Sequence, residues 1–407
     1  MRFRNLAYWG AVAVCLELAA GELIGWLRFA LIGDLRGPDF FIYYASSLLL
    51  LNRGPSAAYD FAVQKHFQDQ VTGQWAGHFI LLPQILPPWV TLIFYPLGLL
   101  PYRAAYIAWG ASIVILVGAA IAILLRTAGL RGRPALLAAA AATASLPVFV
   151  LLLQGQSDAP MIAAVSAAAL AWKGGRPARA GGFAALAMVK PQLLLLLPVL
   201  FLVRRSWRAV VAFAIGCLAL IAISLLVFGI GANLAWLQVL APWAFAGQAN
   251  FPVDTQSQYS VRGLLLLLGP PPVIQLGLLA VGFLALAAIL FRSRSDPRLQ
   301  LALAIAGSVV LSPYQHAHDL ALLIVPGLLL AGSLPVLRHP RLGGAVLLIG
   351  WLGLEVLLFA PTLTALAIVA ATAFLAWECV VGDGPSGPAR LGHLPMKWGG
   401  KAPMTRA

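Results

Sequence analysis

Charge is what this chain has least of. Only 10% of its 407 residues are Asp, Glu, Lys or Arg, and 13 are acidic; an ordinary soluble domain carries about 25% charged residues. With 61% hydrophobic residues and a mean hydropathy of +0.91, a soluble globule could not cover its surface with polar atoms. A soluble enzyme is excluded, and so is disorder. Cysteine is scarce too. Cys15, Cys217 and Cys379 lie singly in apolar stretches, without metal or redox spacing, and read as small buried hydrophobes. There is no P-loop, no Rossmann glycine pattern and no G-x-S-x-G, so nothing here binds a nucleotide. No repeat of 20–50 residues is found, and no inverted repeat of the transporter type.

What is present is apolar sequence in span-sized pieces. Twelve segments stand out: 5–32, 81–100, 102–125, 135–153, 160–172, 181–203, 209–230, 272–291, 299–311, 320–337, 342–360 and 362–381. About a dozen spans of about 20 residues would absorb nearly all the hydrophobicity. The expectation is an all-α, polytopic membrane bundle with about 11–13 crossing segments in one domain, 1–381. A polar, basic tail, 382–407, follows as a loose cytoplasmic end. The first segment is too long for a signal peptide and lacks a small-residue cleavage site. The net charge of +14 falls mostly in short connectors such as 126–133, 173–179, 204–208, 292–298 and 338–341. The positive-inside rule explains that clustering without a nucleic-acid partner.

The remaining connectors, 33–79, 154–159, 231–260 and 312–319, hold acids, amides and histidines and belong to the outer face. Within 33–79, the stretches 43–52 and 59–71 read as helices lying on the membrane surface. Parity does not close if 81–100 and 102–125 both cross, because 126–133 then lands outside. Segments 160–172 and 299–311 are short as helices, about 20 Å, and 181–203 is interrupted at Lys190–Pro191. Such helices persist only where protein or a watery cavity surrounds them, which suggests a cavity opening outward.

Few polar residues lie inside this frame, and each has two readings. Asp39 follows the first span and precedes Phe40, Phe41, Tyr43 and Tyr44. It is either a desolvated general base or the N-cap of the next helix. Asp60 reads as the N-cap of the second surface helix. Gln154, Gln156 and Asp158 either hydrogen-bond sugar hydroxyls or close a polar turn. Lys190 and Gln192 interrupt an apolar segment. An intramembrane Lys costs about 2.5–3.5 kcal/mol on insertion scales, so Lys190 is a candidate for a lipid phosphate unless it snorkels. Arg262 suits an anionic headgroup or a simple interface anchor. His316, His318 and Asp319 form an HxHD cluster; two His at i and i+2 share no helix face, and no third ligand is evident, so donation to a phosphate or sugar is preferred to zinc. Glu17, Glu22 and Glu355 are unexplained beyond polar contacts between helices.

The order of motifs resembles a known family. DFFIYY (39–44), LNRGPSAAYD (51–60), a Pro-Pro span start at 86–109, GQSD (155–158), the KP stretch at 180–207, QSQYSVRGLL (256–265) and SPYQHAHDLALLIVP (312–326) look like glycosyltransferase family 87. These are polyprenol-phosphate-mannose-dependent alpha-(1→2)-mannosyltransferase-like proteins of the GT-C fold. The chain departs at QSQYS, where the family often has an Asn-Gln-Ser run. The resemblance implies a multi-pass enzyme of a bacterial-type inner or plasma membrane with its site facing outward. The donor would be a sugar, mannose in the family, on a polyprenyl monophosphate. Asp39 matches the family's base, Lys190 the Lys of the KP motif and His318 the His of the late loop.

On this reading Asp39 is catalytic. Lys190, Arg262 and His318 hold the donor phosphate, and Tyr43, Tyr44, Gln154, Gln156, Asp158, Gln192 and His316 hold sugar or acceptor. One carboxylate suits inversion, whereas a glycosidase needs two around the bond. No cofactor and no metal is expected. The partners are the lipid-linked donor, a glycolipid or glycan acceptor and membrane lipids, with the protein a monomer. A lipid-linked-sugar transporter or flippase is the competing reading; it would use the same cations without a base.

Overall fold

The computed structural model describes residues 2–35, 38–72, 83–241, 258–356 and 358–381. The tail at 382–407, His78 and the first two residues of QSQYS lie outside them. The described residues form helices and turns with no strand, as expected where the solvent offers no hydrogen bonds to an open backbone.

The order begins with α1 (Arg2–Ile32), then α2 (Phe40–Arg53) and α3 (Phe61–Thr72) in the first loop, joined by a 3-10 turn at Pro55–Tyr59. Asp60 caps α3 as expected: its Oδ1 accepts from the backbone N–H of Ala62 and Val63 at 2.9 and 3.1 Å. Next come α4 (Pro88–Phe94), α5 (Tyr102–Ala128), α6 (Gly132–Thr143), α7 (Leu146–Gln154), α8 (Asp158–Lys173), α9 (Pro177–Leu186) and α10 (Leu196–Val203). The long α11 (Trp207–Ala241) is broken at Gly229, and α12 (Val261–Leu268), α13 (Pro272–Arg292), α14 (Pro297–Val310), α15 (Ile324–Ser333), α16 (Pro340–Glu355) and α17 (Pro361–Val381) complete the bundle.

Among the described residues six helices are long and apolar enough to cross a membrane: Asn5–Ile32, Tyr102–Ala128, Trp207–Gln238, Pro272–Arg292, Ala317–Val336 and Pro361–Val381. The α6–α7 pair, bent by 45°, makes a seventh if counted as one span. This is fewer than the 11–13 expected, and the difference has three sources. Segment 81–100 contains only α4 and a 3-10 turn; Pro88–Leu99 is about 18 Å long at 1.5 Å per residue. Taken as a segment that does not cross, it closes the parity, because α5 then returns alone and Arg126–Arg133 joins the other basic connectors. Helices α8 and α14 have 16 and 14 residues, about 24 and 21 Å against a hydrocarbon core of about 30 Å.

Segment 181–203 is not one interrupted span but a hairpin of two half-helices. Gly181 in α9 packs so tightly on Ala209 that a Cβ would lie 2.1 Å from the Ala209 carbonyl oxygen. Arg204, at the end of α10, donates to the Ser293 carbonyl. The start of α9 and the end of α10 therefore lie at the same end of the bundle. Lys190 sits at the turn between them. Pro191 drives the residue before it out of the helical region, and Lys190 has φ −128° and ψ 84°.

The side-chain contacts separate two ends. At the basic end Tyr8 donates to the Arg133 carbonyl at 2.9 Å, Lys173 to Thr127 at 2.5 Å, and Arg298 to both Ala128 and Gly332 at 2.9 Å. At the other end lie residues 38–41, 154–158, 188–192, 258–262 and 312–319. Trp89 ties the hairpin's turn to this end by donating to the Met188 carbonyl at 3.1 Å. Beyond the Gly229 break, Trp236 of α11 donates to Ile85 at 3.1 Å and meets Trp89 edge-on. Because α8, α9, α10 and α14 are all short, the 154–158 turn lies level with Trp109, about two turns inside the start of α5. The unexplained Glu355 finds a place here: it accepts from the Leu146 N–H that starts α7, at 3.3 Å.

The hairpin predicts a labelling pattern. With the three native cysteines replaced, Arg176→Cys and Arg208→Cys, both at exposed positions, should react with an impermeant maleimide from the same side of sealed membrane vesicles. Reaction from opposite faces would mean that 181–203 crosses as a single span.

Candidate active site

Asp39 stands one residue before α2, the position of an N-cap, yet its side chain makes no capping hydrogen bond. Its carboxylate turns toward the 154–158 turn instead. Gln156 donates from Nε2 to Asp39 Oδ2 at 2.6 Å, and Gln156 Oε1 accepts from the Tyr43 hydroxyl at 2.5 Å. The Asp39 backbone N–H donates to Gln154 Oε1 at 3.0 Å. The two amides thus bracket Asp39, one on its backbone and one on its carboxylate. Asp39 is half-buried. Burial pushes its carboxyl above the ordinary carboxylate range, against the opposing influence of His316, the Gln156 hydrogen bond and Lys190.

The local sequence explains this turn. Gly155 ends α7 in the left-handed region at φ +61°. The Gln156 N–H bonds to Leu151 and the Gly155 N–H to Leu152, at 3.1 and 3.2 Å, the pattern of a Schellman cap. A Cβ on Gly155 would lie 2.7 Å from Phe40 Cβ. Trp109 holds the turn from below through its Nε1 to the Gly155 carbonyl at 2.9 Å, and Phe94 stacks between Trp109 and Tyr43.

Lys190 is buried and its ammonium bridges two carboxylates, Asp158 Oδ2 at 2.9 Å and Asp319 Oδ1 at 2.6 Å. Asp158 opens α8, and Asp319 lies in the 3-10 segment Ala317–Leu323. His318 Nε2 is 3.6 Å from the same Asp319 oxygen. Asp319 Oδ2 accepts the His316 backbone N–H at 2.6 Å, and the His316 ring meets the Tyr314 hydroxyl. Ligand atoms of Asp158, His318 and Asp319 lie within 4.8 Å of one another, but the Lys190 ammonium occupies the space between the two carboxylates where a cation would go.

Arg262 begins α12 and is 9% exposed. It donates to the Pro313 carbonyl at 2.6 Å and reaches Gln275 Oε1 at 3.4 Å. Among the described residues it has no carboxylate partner. Gln258 Oε1 accepts the Gln315 N–H at 3.1 Å, which joins the 258–262 turn to the late loop.

The structure therefore brings together Asp39, Tyr43, Gln154, Gln156, Asp158, Lys190, His316 and His318, with Arg262 adjoining through Pro313. It does not bring in Tyr44, whose hydroxyl donates to the Leu100 carbonyl at 2.9 Å and whose ring packs on Tyr102. Gln192 is half-buried in the turn after Lys190. Sequence reasoning left Asp319 out of the site. The signal was present, since a buried Lys demands a buried counter-charge and Asp319 is one of few acids able to supply it. Tyr314 and Gln258 carried no such signal.

These features define an all-α polytopic membrane protein that gathers acids, amides, histidines and two buried cations at one end. The sequence model for glycosyltransferase family 87 matches residues 85–313, more than half of the chain, and the chain belongs to that family. It is a multi-pass membrane glycosyltransferase. It is 29% identical over 315 residues to the polyprenol-phosphate-mannose-dependent alpha-(1-2)-phosphatidylinositol pentamannoside mannosyltransferase of Mycolicibacterium smegmatis (strain ATCC 700084 / mc(2)155), covering 75% of this chain and 71% of that protein. The family match includes Gln154, Gln156, Asp158, Lys190, Gln192 and Arg262, while Asp39, His316 and His318 lie outside it.

Gly155→Ala is the sharpest local test of this geometry. A left-handed backbone and a rigid contact at Phe40 should cost about 1–3 kcal/mol, read as a lower melting temperature. Transfer should fall further than stability does, because the amides on either side of Gly155 lose their aim at Asp39.

Proposed function

We propose that the protein transfers a sugar from a polyprenyl-phosphate donor to an acceptor hydroxyl, with inversion, on the outer face of a bacterial-type inner membrane. Mannose is the proposed sugar, and the printed name of the mycobacterial relative supports it. The observation that carries the reading is Asp39: a half-buried carboxylate in a capping position that caps nothing, held by Gln156 at the polar end. That placement fits a base.

In the proposed reaction the acceptor O–H gives its proton to Asp39 while its oxygen attacks the anomeric carbon. The bond from that carbon to the phosphate oxygen breaks, and polyprenyl phosphate leaves with the electron pair. The leaving group is already stable, so no strong general acid is needed. Asp158 and Asp319 are engaged with Lys190, which leaves Asp39 for the chemistry among the described residues gathered here and favours single displacement over a covalent intermediate. Arg262, cationic and without a carboxylate partner among the described residues, suits the phosphate. His318 lies beside the same space, and Gln154, Gln156 and Tyr43 offer the donors and acceptors that sugar hydroxyls require. The depth of the 154–158 turn lets the prenyl chain remain among apolar helices while its headgroup reaches the polar end. A transporter of lipid-linked sugars would need no base, and family membership favours the transferase.

Purified protein with synthetic polyprenyl-phosphate mannose and a panel of glycolipid acceptors tests this directly. Asp39→Asn should lower kcat by about 10²–10⁴-fold, the usual contribution of a general base; retention of wild-type rates would remove Asp39 from the mechanism.

The pH profile has a defined sign. Asp39 must be ionised to accept a proton, and burial raises its pKa. Activity should therefore fall as pH is lowered, at a pH above that of an ordinary surface aspartate. Gln156 supplies a hydrogen bond that lowers this pKa, so Gln156→Leu should move the acid limb to still higher pH. An unshifted limb would separate Gln156 from the titrating group.

A further inference from the structure

The sequence assigns Lys190 to the donor phosphate, but the geometry points elsewhere. The ammonium touches two carboxylates at 2.9 and 2.6 Å, and the three side chains are 8%, 0% and 3% exposed. Two carboxylates already take up the ammonium's charge and hydrogen bonds, which leaves it little to offer a phosphate. Asp158, His318 and Asp319 offer one ligand atom each within 4.8 Å of one another, a donor set that would suit a hard or borderline divalent cation. The chain places its own cation there instead.

The effect reaches the chemistry through Asp319. One of its oxygens takes the Lys190 ammonium, and the other takes the His316 N–H at 2.6 Å. The turn that carries His316 and His318 is thereby fixed from below. A cationic His316 would draw the Asp39 carboxyl down. Three elements distant in sequence, the hairpin turn, the start of α8 and the 3-10 segment after Tyr314, are joined by this ammonium.

We propose that Lys190 is a positioning residue, a tethered internal cation that occupies a site its neighbours would otherwise offer to a free cation, and that it does not contact the donor phosphate. The part of the proposal that concerns the donor rests on the transferase reading above. The part that concerns the cation does not.

The test uses full-length Lys190→Ala purified free of metal, with Mn²⁺ as the probe. Mn²⁺ should bind the variant at least about tenfold more tightly than it binds the wild type, and should raise the variant's melting temperature while leaving the wild type unmoved. Absence of both effects overturns the internal-cation assignment whether or not the protein transfers any sugar. With polyprenyl-phosphate mannose as donor, the variant's loss should appear in kcat with donor KM within about threefold of wild type, and Mn²⁺ should restore at least about tenfold in kcat. A large rise in donor KM that Mn²⁺ leaves untouched would instead make Lys190 a phosphate ligand.

If Lys190→Ala does not fold, charge balance supplies a second measure. Lys190→Met leaves two buried carboxylates without a cation, whereas Lys190→Met with Asp158→Asn restores the net charge of the wild-type group. The double variant should give more folded protein and a higher melting temperature than Lys190→Met alone. Equal or lower yield from the double variant counts against the proposal.

Discussion

A charged ammonium inside an apolar bundle demands counter-charge, and the polar end of this molecule is organised around meeting that demand. Lys190 is supplied by Asp158 from one side and Asp319 from the other. Removing one member of a buried ion pair typically costs 3–5 kcal/mol, so the three residues are bound to stay together. That requirement sets where α8 begins, where the α9–α10 hairpin turns and where the late loop enters its 3-10 segment. The functional groups of the site are attached to those same elements.

A division of labour follows within the site. The charged triad is enclosed and has little left to offer a substrate. Beside it, Gln154 and Gln156 hold a half-buried Asp39 by its backbone and its carboxylate, and the Arg262 guanidinium has no carboxylate partner among the described residues. Asp39 gains its raised pKa from burial, while Gln156 and His316 restrain that rise. The short helices serve the same end. At about 24, 15 and 21 Å, α8, α9 and α14 fall short of a hydrocarbon core of about 30 Å, which keeps the polar residues at their ends within the bundle.

Glycines and prolines mark the places where this arrangement departs from continuous helix. Gly155 allows two amides to flank Asp39, because only a residue without Cβ fits beneath Phe40. Pro191 breaks the hairpin at the residue that must be aimed at two acids. Gly263 permits a comparable approach at the start of α12, where a Cβ would lie 2.2 Å from the Gln258 carbonyl oxygen. Each of these lies next to a residue of the site.

Much of this was legible in the sequence because the signals are local. Apolar composition dictates a helical membrane protein, since no other backbone satisfies itself in lipid. The helices after Asp39 and Asp60, the break at Lys190–Pro191 and the choice of Asp39, Gln156 and Lys190 as residues that must matter all rest on neighbours within a few positions. Tertiary structure decided what depends on distant partners. Hydropathy along the chain cannot distinguish a span from a hairpin that returns, so 181–203 read as one segment until Gly181 was found against Ala209 and Arg204 against Ser293. Tyr44 looked equivalent to Tyr43, one residue away, but a helix turns about 100° per residue and sends its hydroxyl to Leu100. Lys190 carries the same charge in either description. Only the meeting of residues 158, 190 and 319 shows that its partners are the protein's own carboxylates, because a buried charge is satisfied in space and not along the chain.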